Sequence, residues 1–186
     1  MGADIHQFNI IRFRDGSILR DGVEYVDHIE KNADGFEYEV QEEVYKSDYV
    51  PELIPGRDSD MFAFMAGSRG DAPFKIYPEP GIPEWLDQPA QADIKEYLTK
   101  DRYGHCYYTA IDLLEKLKKA EARIEWYMRV KAAKNPEYIK YGEIDEDDIM
   151  LEKVRKMKEK LNRQITEGRD HPINWTDTCI CFNFDC

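Results

Sequence analysis

Long apolar runs are missing from this 186-residue chain, and nothing approaches the roughly 20 consecutive apolar residues of a membrane span. Asp4, His6 and Arg12 interrupt the opening segment, so it does not read as a secretory signal. Gly2 is not followed by Ser or Thr at the sixth position, which removes a myristoylation site. Cysteine is scarce, with Cys106, Cys179, Cys181 and Cys186 only. That is too few to staple a secreted scaffold of this size, and the Cys-x-Cys spacing is not the usual zinc pair. Reduced, buried thiols in a cytoplasmic protein are expected. Positive charge is also short: 26 Lys and Arg face 38 Asp and Glu, a net of −12. Such a chain is repelled by nucleic-acid backbones and by anionic membranes, so direct binding to either is not expected. Repeats and low-complexity segments are absent as well.

What is present suffices for a packed core, because 42% of the residues are apolar. A single domain spanning 1–186 is expected, with 108–168 as a helical-hairpin elaboration. The acid is uneven. Residues 108–168 carry 14 basic against 13 acidic side chains, and the remainder 12 against 25. The acidic part reads first as a solvated surface; a second reading is an acidic inhibitor of a host enzyme, acting through protein interaction.

A strand apolar on both faces is expected over 4–14, a second near 17–26 completes a hairpin through the turn chemistry of Arg14-Asp15-Gly16-Ser17, and clean period-2 alternation predicts a half-exposed strand over 36–41. Asp58 or Ser59 can cap a short helix over 61–66, and another short helix is expected near 91–98. The Gly- and Pro-rich stretch from 67 to 83 reads as an ordered loop that lines something. Two apolar stripes follow at helical spacing. One runs through Ala110, Leu113, Leu114, Leu117, Ile124, Tyr127 and Met128; the other through Met150, Val154, Met157, Leu161 and Ile165. Breakers at Asn135-Pro136 and Tyr141-Gly142 separate them, so an antiparallel helical hairpin is predicted, a surface that also suits a second copy of the chain. Thr109 is read as the N-cap of its first helix. A last strand, 178–185, places Ile180, Phe182 and Phe184 on one face and Cys179, Cys181 and Asn183 on the other. The expected fold is therefore α+β: a mixed or antiparallel sheet holding both termini, short helices and the hairpin.

The chemistry is concentrated at the chain start. Asp4 and His6 project from the same face of a strand, ahead of Phe8 and Ile10, as a polar pair at the mouth of an apolar layer. With His105 they form a three-ligand recipe for a divalent metal that leaves positions open for water. Only four histidines are present, and the Asn-His-Glu segment and His-x-His pair of a two-metal phosphoesterase are missing. The bland reading is that Asp4 and His6 hold the chain start by hydrogen bonds. Arg69, in a glycine-flanked turn, suits a phosphate or carboxylate, or else an ion pair with Asp60 or Asp71. His105 precedes a helix N-terminus, where an anion is favoured, and Tyr107 follows it. The ligand set expected from these residues is Asp4, His6, Arg69, His105 and Tyr107, holding a small anionic molecule such as a nucleotide.

Five blocks, in order, also carry a family resemblance. Met1-Gly2-Ala3-Asp4-Ile5-His6 resembles the opening of small, largely uncharacterised proteins of tailed phages and prophages, which usually have Cys at the third position. Arg57-Asp58-Ser59-Asp60-Met61-Phe62 with Ala66-Gly67-Ser68-Arg69-Gly70, then Glu79-Pro80-Gly81-Ile82-Pro83, Gly104-His105-Cys106-Tyr107-Tyr108-Thr109 and Phe182-Asn183-Phe184-Asp185 resemble that family's later blocks. The helical pair lies outside the resemblance. The family often has a second histidine near the one matching His105, and Tyr103 stands in that neighbourhood here. The resemblance implies a viral protein acting in the host cytoplasm and brings no established activity. Joined to the residue reading, it suggests sequestration of a cyclic-nucleotide immune signal or another host defence component; a metal-dependent phosphoester hydrolase using Asp4, His6 and His105 is the alternative.

Overall fold

The computed structural model describes residues 4–54, 58–66, 74–92, 105–134, 146–168 and 172–185. Strands β1 (Asp4–Arg12), β2 (Ile18–Lys31) and β3 (Glu37–Lys46) lead into helix α1 (Ser59–Ala66). Strands β4 (Glu79–Pro80) and β5 (His105–Thr109), helices α2 (Ala110–Lys134) and α3 (Glu146–Glu167), and strand β6 (Cys179–Asp185) complete the order. Among the described residues, six strands join one antiparallel sheet in the order β3-β2-β1-β6-β5-β4. The chain's first and last strands are therefore neighbours at its centre, as the sequence predicts.

Alternation divides the sheet into two faces. Ile5 and Ile11 of β1, Ile180 and Phe182 of β6, and Cys106 and Tyr108 of β5 point into the main core, which the three helices close with Met61, Phe64, Met65, Leu113, Leu117, Ile124, Val154, Met157 and Leu161. The helical hairpin thus packs directly on the sheet, and its two stripes supply much of that core. On the opposite face Phe8, Ile10, Cys179 and Cys181 are covered by Ile82, Trp85, Leu86 and Ala90. Of the 67–83 stretch, residues 67–73 lie outside the described residues. The rest is held: Phe74 and Ile76 are buried, the Ile76 N–H donates to the Phe64 carbonyl at 2.9 Å, and Glu79–Pro80 pairs with β5. Residues 88–92 are helical; of the helix expected near 91–98, residues 93–98 lie outside the described residues.

Local chemistry explains the element ends. The Asp58 carboxylate accepts from the Met61 N–H at 3.1 Å, and the Thr109 hydroxyl accepts from the Asp112 N–H at 3.2 Å, two N-caps of the kind anticipated. At Asp15-Gly16-Ser17, Gly16 takes φ 88° and Asp15 Oδ1 accepts from the Ser17 N–H and Oγ–H. Among the described residues no helix is long and apolar enough to cross a membrane.

Across the hairpin, Glu121 accepts hydrogen bonds from Arg155 and Lys158, and Lys131 pairs with Asp147 at 3.0 Å, which fixes the antiparallel sense. Burial pushes the Glu121 carboxyl up, but the hydrogen bonds and charges of Lys158 and Arg155 outweigh it and hold the group below its ordinary value. A carboxylate lowered in this way stabilises the fold at neutral pH, and the contribution disappears as pH falls through its folded value. Glu121→Gln should therefore cost about 1 kcal/mol at pH 7 and converge with the parent in acid, which denaturant unfolding at several pH values would read.

One segment departs from the expected outline. β2 and β3 are longer than their apolar alternation indicates. β1 pairs with β2 only between Phe8↔Gly22 and Arg12↔Ile18. Beyond Gly22, residues 23–31 pair only with 37–45, so a two-stranded ribbon continues past the point where β1 stops. Its tip is fixed by Asn32, whose Oδ1 accepts from the Asp34 and Phe36 N–H groups at 3.0 and 2.9 Å.

Candidate functional site

The strand register decides which chemistry-bearing residues meet. β1 and β5 flank β6, so His6 and His105 both fall opposite Asn183. The row His6–Asn183–His105 crosses three adjacent strands at one end of the sheet. One step outward, Asp4 is opposite Asp185; one step inward, Phe8, Cys181 and Tyr107 form the next row, with Glu79 beyond Tyr107. From rim to centre, the register runs from carboxylate positions to imidazole and amide positions, then to the apolar layer covered by Leu86 and Trp85. Strand spacing puts the His6 and His105 backbones about 10 Å apart, with Asn183 between them.

Three of the sequence-predicted residues, Asp4, His6 and His105, thus hold register positions at one end of the sheet, and Tyr107 lies in the adjacent row. Arg69 lies outside the described residues. His6 is half-buried, with its Nε2 atom shielded from solvent. Tyr107 packs against the Ile82–Ala90 cover, and burial, with Cys179 and Glu79 nearby, raises its phenol above the usual value. Among the described side chains no three His, Cys, Asp or Glu groups gather as a cation cluster. Sequence reasoning did not assign Asn183 and Asp185 to the site. The signal was present in the last strand, where Asn183 alternates onto the same face as Cys179 and Cys181, but the register joining the two ends of the chain is a tertiary fact.

The thiols behave as the sequence suggests. Burial raises Cys106 and Cys179 to about 12 and drives Cys181 well above the ordinary thiol value, so all three remain protonated and unreactive at neutral pH. Cys186 and His171 lie outside the described residues. His28 is on the ribbon, where its ring contacts Glu30 at 3.1 Å and Glu42 at 3.9 Å.

Comparison with protein-family models, curated proteins and solved structures finds no match for this chain.

Proposed function

We propose that this protein binds a phosphate-bearing small molecule, a nucleotide or cyclic nucleotide, through a divalent cation held where β1, β5 and β6 end together. One observation carries the reading: His6 and His105 share a row through Asn183, with Asp4 and Asp185 at its rim. Two carboxylates in a chain of net −12 repel an uncompensated anion, so an anionic ligand needs a positive centre there. A divalent ion held by Asp4, His6 and His105 supplies it and keeps coordination positions for water and phosphate oxygen. In this reading Asn183 would hydrogen-bond a ligand oxygen and Tyr107 would flank a base or ribose. Arg69 belongs to the same reading as a phosphate-facing guanidinium.

The same open coordination favours a second reading. Water on a bound divalent ion is acidified toward neutral pH, which would make the site a phosphoester hydrolase. The missing Asn-His-Glu segment and His-x-His pair of a two-metal phosphoesterase favour retention of a nucleotide, such as a host immune signal in the host cytoplasm, over its turnover.

Calorimetric titration with Mn²⁺, then with ATP and cyclic AMP, tests the proposal. One ion per chain is expected, with nucleotide bound only in its presence. His6→Ala and His105→Ala should each weaken the ion by about 100-fold or more. Nucleotide binding undiminished by a chelator, or no uptake of Mn²⁺, would remove the cation from the account, and chromatography of the nucleotide afterwards separates retention from hydrolysis.

A further inference from the structure

The ribbon formed by 23–31 and 37–45 is a second feature, independent of the sheet-end site. Residues 23–45 hold eight acids (Glu24, Asp27, Glu30, Asp34, Glu37, Glu39, Glu42 and Glu43) and one base, Lys31, a net of −7 within a chain of −12. Nine residue pairs make the ribbon about 30 Å long, so it carries one net charge per ~4 Å, close to the ~3.4 Å per phosphate of a single DNA strand.

The ribbon is also not merely solvated. Ile29 is 64% exposed and Phe36 73% exposed, and Val26 and Tyr38 are exposed as well. Val26, His28, Val40 and Tyr38 share one face, framed by Glu24, Glu30 and Glu42. A two-stranded ribbon with both faces in water is marginal alone, so apolar residues left on it favour a surface that covers them.

The ribbon's base is anchored. Tyr45 donates to the Val50 carbonyl at 2.6 Å and accepts from Asn9 and Gln7 at 2.8 and 3.0 Å, while Asp21 accepts from Asn9 and Ser47. Gln7 also donates to the Pro51 carbonyl and accepts from the Leu53 N–H. This buried network holds the point at which the ribbon leaves β1.

We infer that the ribbon docks, as a mimic of a nucleic-acid strand, in the basic groove of a nucleic-acid-binding protein. Charge selects this occupant. A second copy would set −7 against −7, and nucleic acid and anionic lipid are repelled; a groove lined by Lys and Arg attracts the ribbon, and the groove's apolar floor covers Val26, Val40 and Tyr38.

The test is displacement of a short fluorescent DNA duplex from three purified proteins: a nucleoid protein of the HU type, core RNA polymerase and a type II restriction endonuclease. The full chain should displace DNA from at least one of them, less effectively as salt rises from about 50 to about 200 mM. A ribbon variant carrying Glu24→Gln, Glu30→Gln and Glu42→Gln, the acids that frame this face, should lose about tenfold or more in potency. A control carrying Glu152→Gln, Glu159→Gln and Glu167→Gln, with the same net charge but an intact ribbon, should stay within about twofold of the parent. Displacement from none of the three, or equal losses in ribbon variant and control, would overturn the inference. Circular dichroism melts of both variants confirm that each is folded, and the His6→Ala protein should displace DNA as the parent does, which separates this inference from the cation proposal.

Discussion

Gly22→Ala is expected to destabilise the protein by about 3 kcal/mol or more, one of the largest effects of any single methyl added to this chain. Two costs act at once. Gly22 has φ 119°, a conformation open to glycine and strained for any L side chain. A Cβ built there would lie 2.6 Å from the Phe8 Cα and 2.8 Å from the Gln7 carbonyl oxygen, both of them backbone atoms of the central strand that no rotamer change can move. The position is the joint at which β2 makes its last pair with β1 and goes on with β3 alone. Relief would have to come from separating those strands, which would disturb the Gln7–Asn9–Tyr45 network beneath the ribbon. At this chain length each kcal/mol lowers Tm by about 2–4 °C, so a drop of about 6–12 °C is expected in a thermal melt. A Tm within about 2 °C of the parent would show that the joint relaxes freely.

Tyr108→Ala should cost about 3–5 kcal/mol, while Tyr108→Phe should cost only about 1–1.5. Tyr108 is fully buried at the meeting of β5, α1 and α2. Its ring makes an edge-to-face contact with Phe182, with centroids 6.2 Å apart, and its hydroxyl donates to the Met65 carbonyl at 2.6 Å. The Met65 carbonyl lies in the last turn of α1, where helical acceptors are left over, so the phenol closes the helix end onto the sheet. Burial holds the phenol well above its usual value, so it stays a donor at every pH at which the protein is worth measuring. The difference between the two variants should therefore be constant from pH 6 to about 9. Chemical denaturation of the pair reads both numbers. Equal losses for Phe and Ala would move the weight from packing to the single hydrogen bond.

The helical hairpin and the central strands were legible because each has one face in the core. Leu113, Leu117, Val154 and Leu161 recur at helical spacing for that reason, and Phe8 and Ile10 alternate with Gln7 and Asn9 because β1 has different neighbours on its two sides. The ribbon was underestimated for the converse reason. Ile29-Glu30-Lys31 and Glu37-Tyr38-Glu39 bury no face, so burial imprints no pattern on them, and their acids lower strand propensity. Pairing alone, fixed by the Asn32 turn, carries these residues into strand. Local periodicity put Asp4 with His6, but it could not supply the partners on β5 and β6. His105 is about a hundred residues away in the chain and Asn183 lies near its other end; their common row arises only when β6 inserts between β1 and β5.

The cation proposal rests on that row, and a crystal soaked in MnCl₂ and measured for anomalous scattering tests it most directly. The account predicts a single strong peak where β1, β5 and β6 end, with nitrogens of His6 and His105 and an oxygen of Asp4 about 2.0–2.2 Å from it. A map with no peak there, or with manganese only on the acidic ribbon, would contradict it.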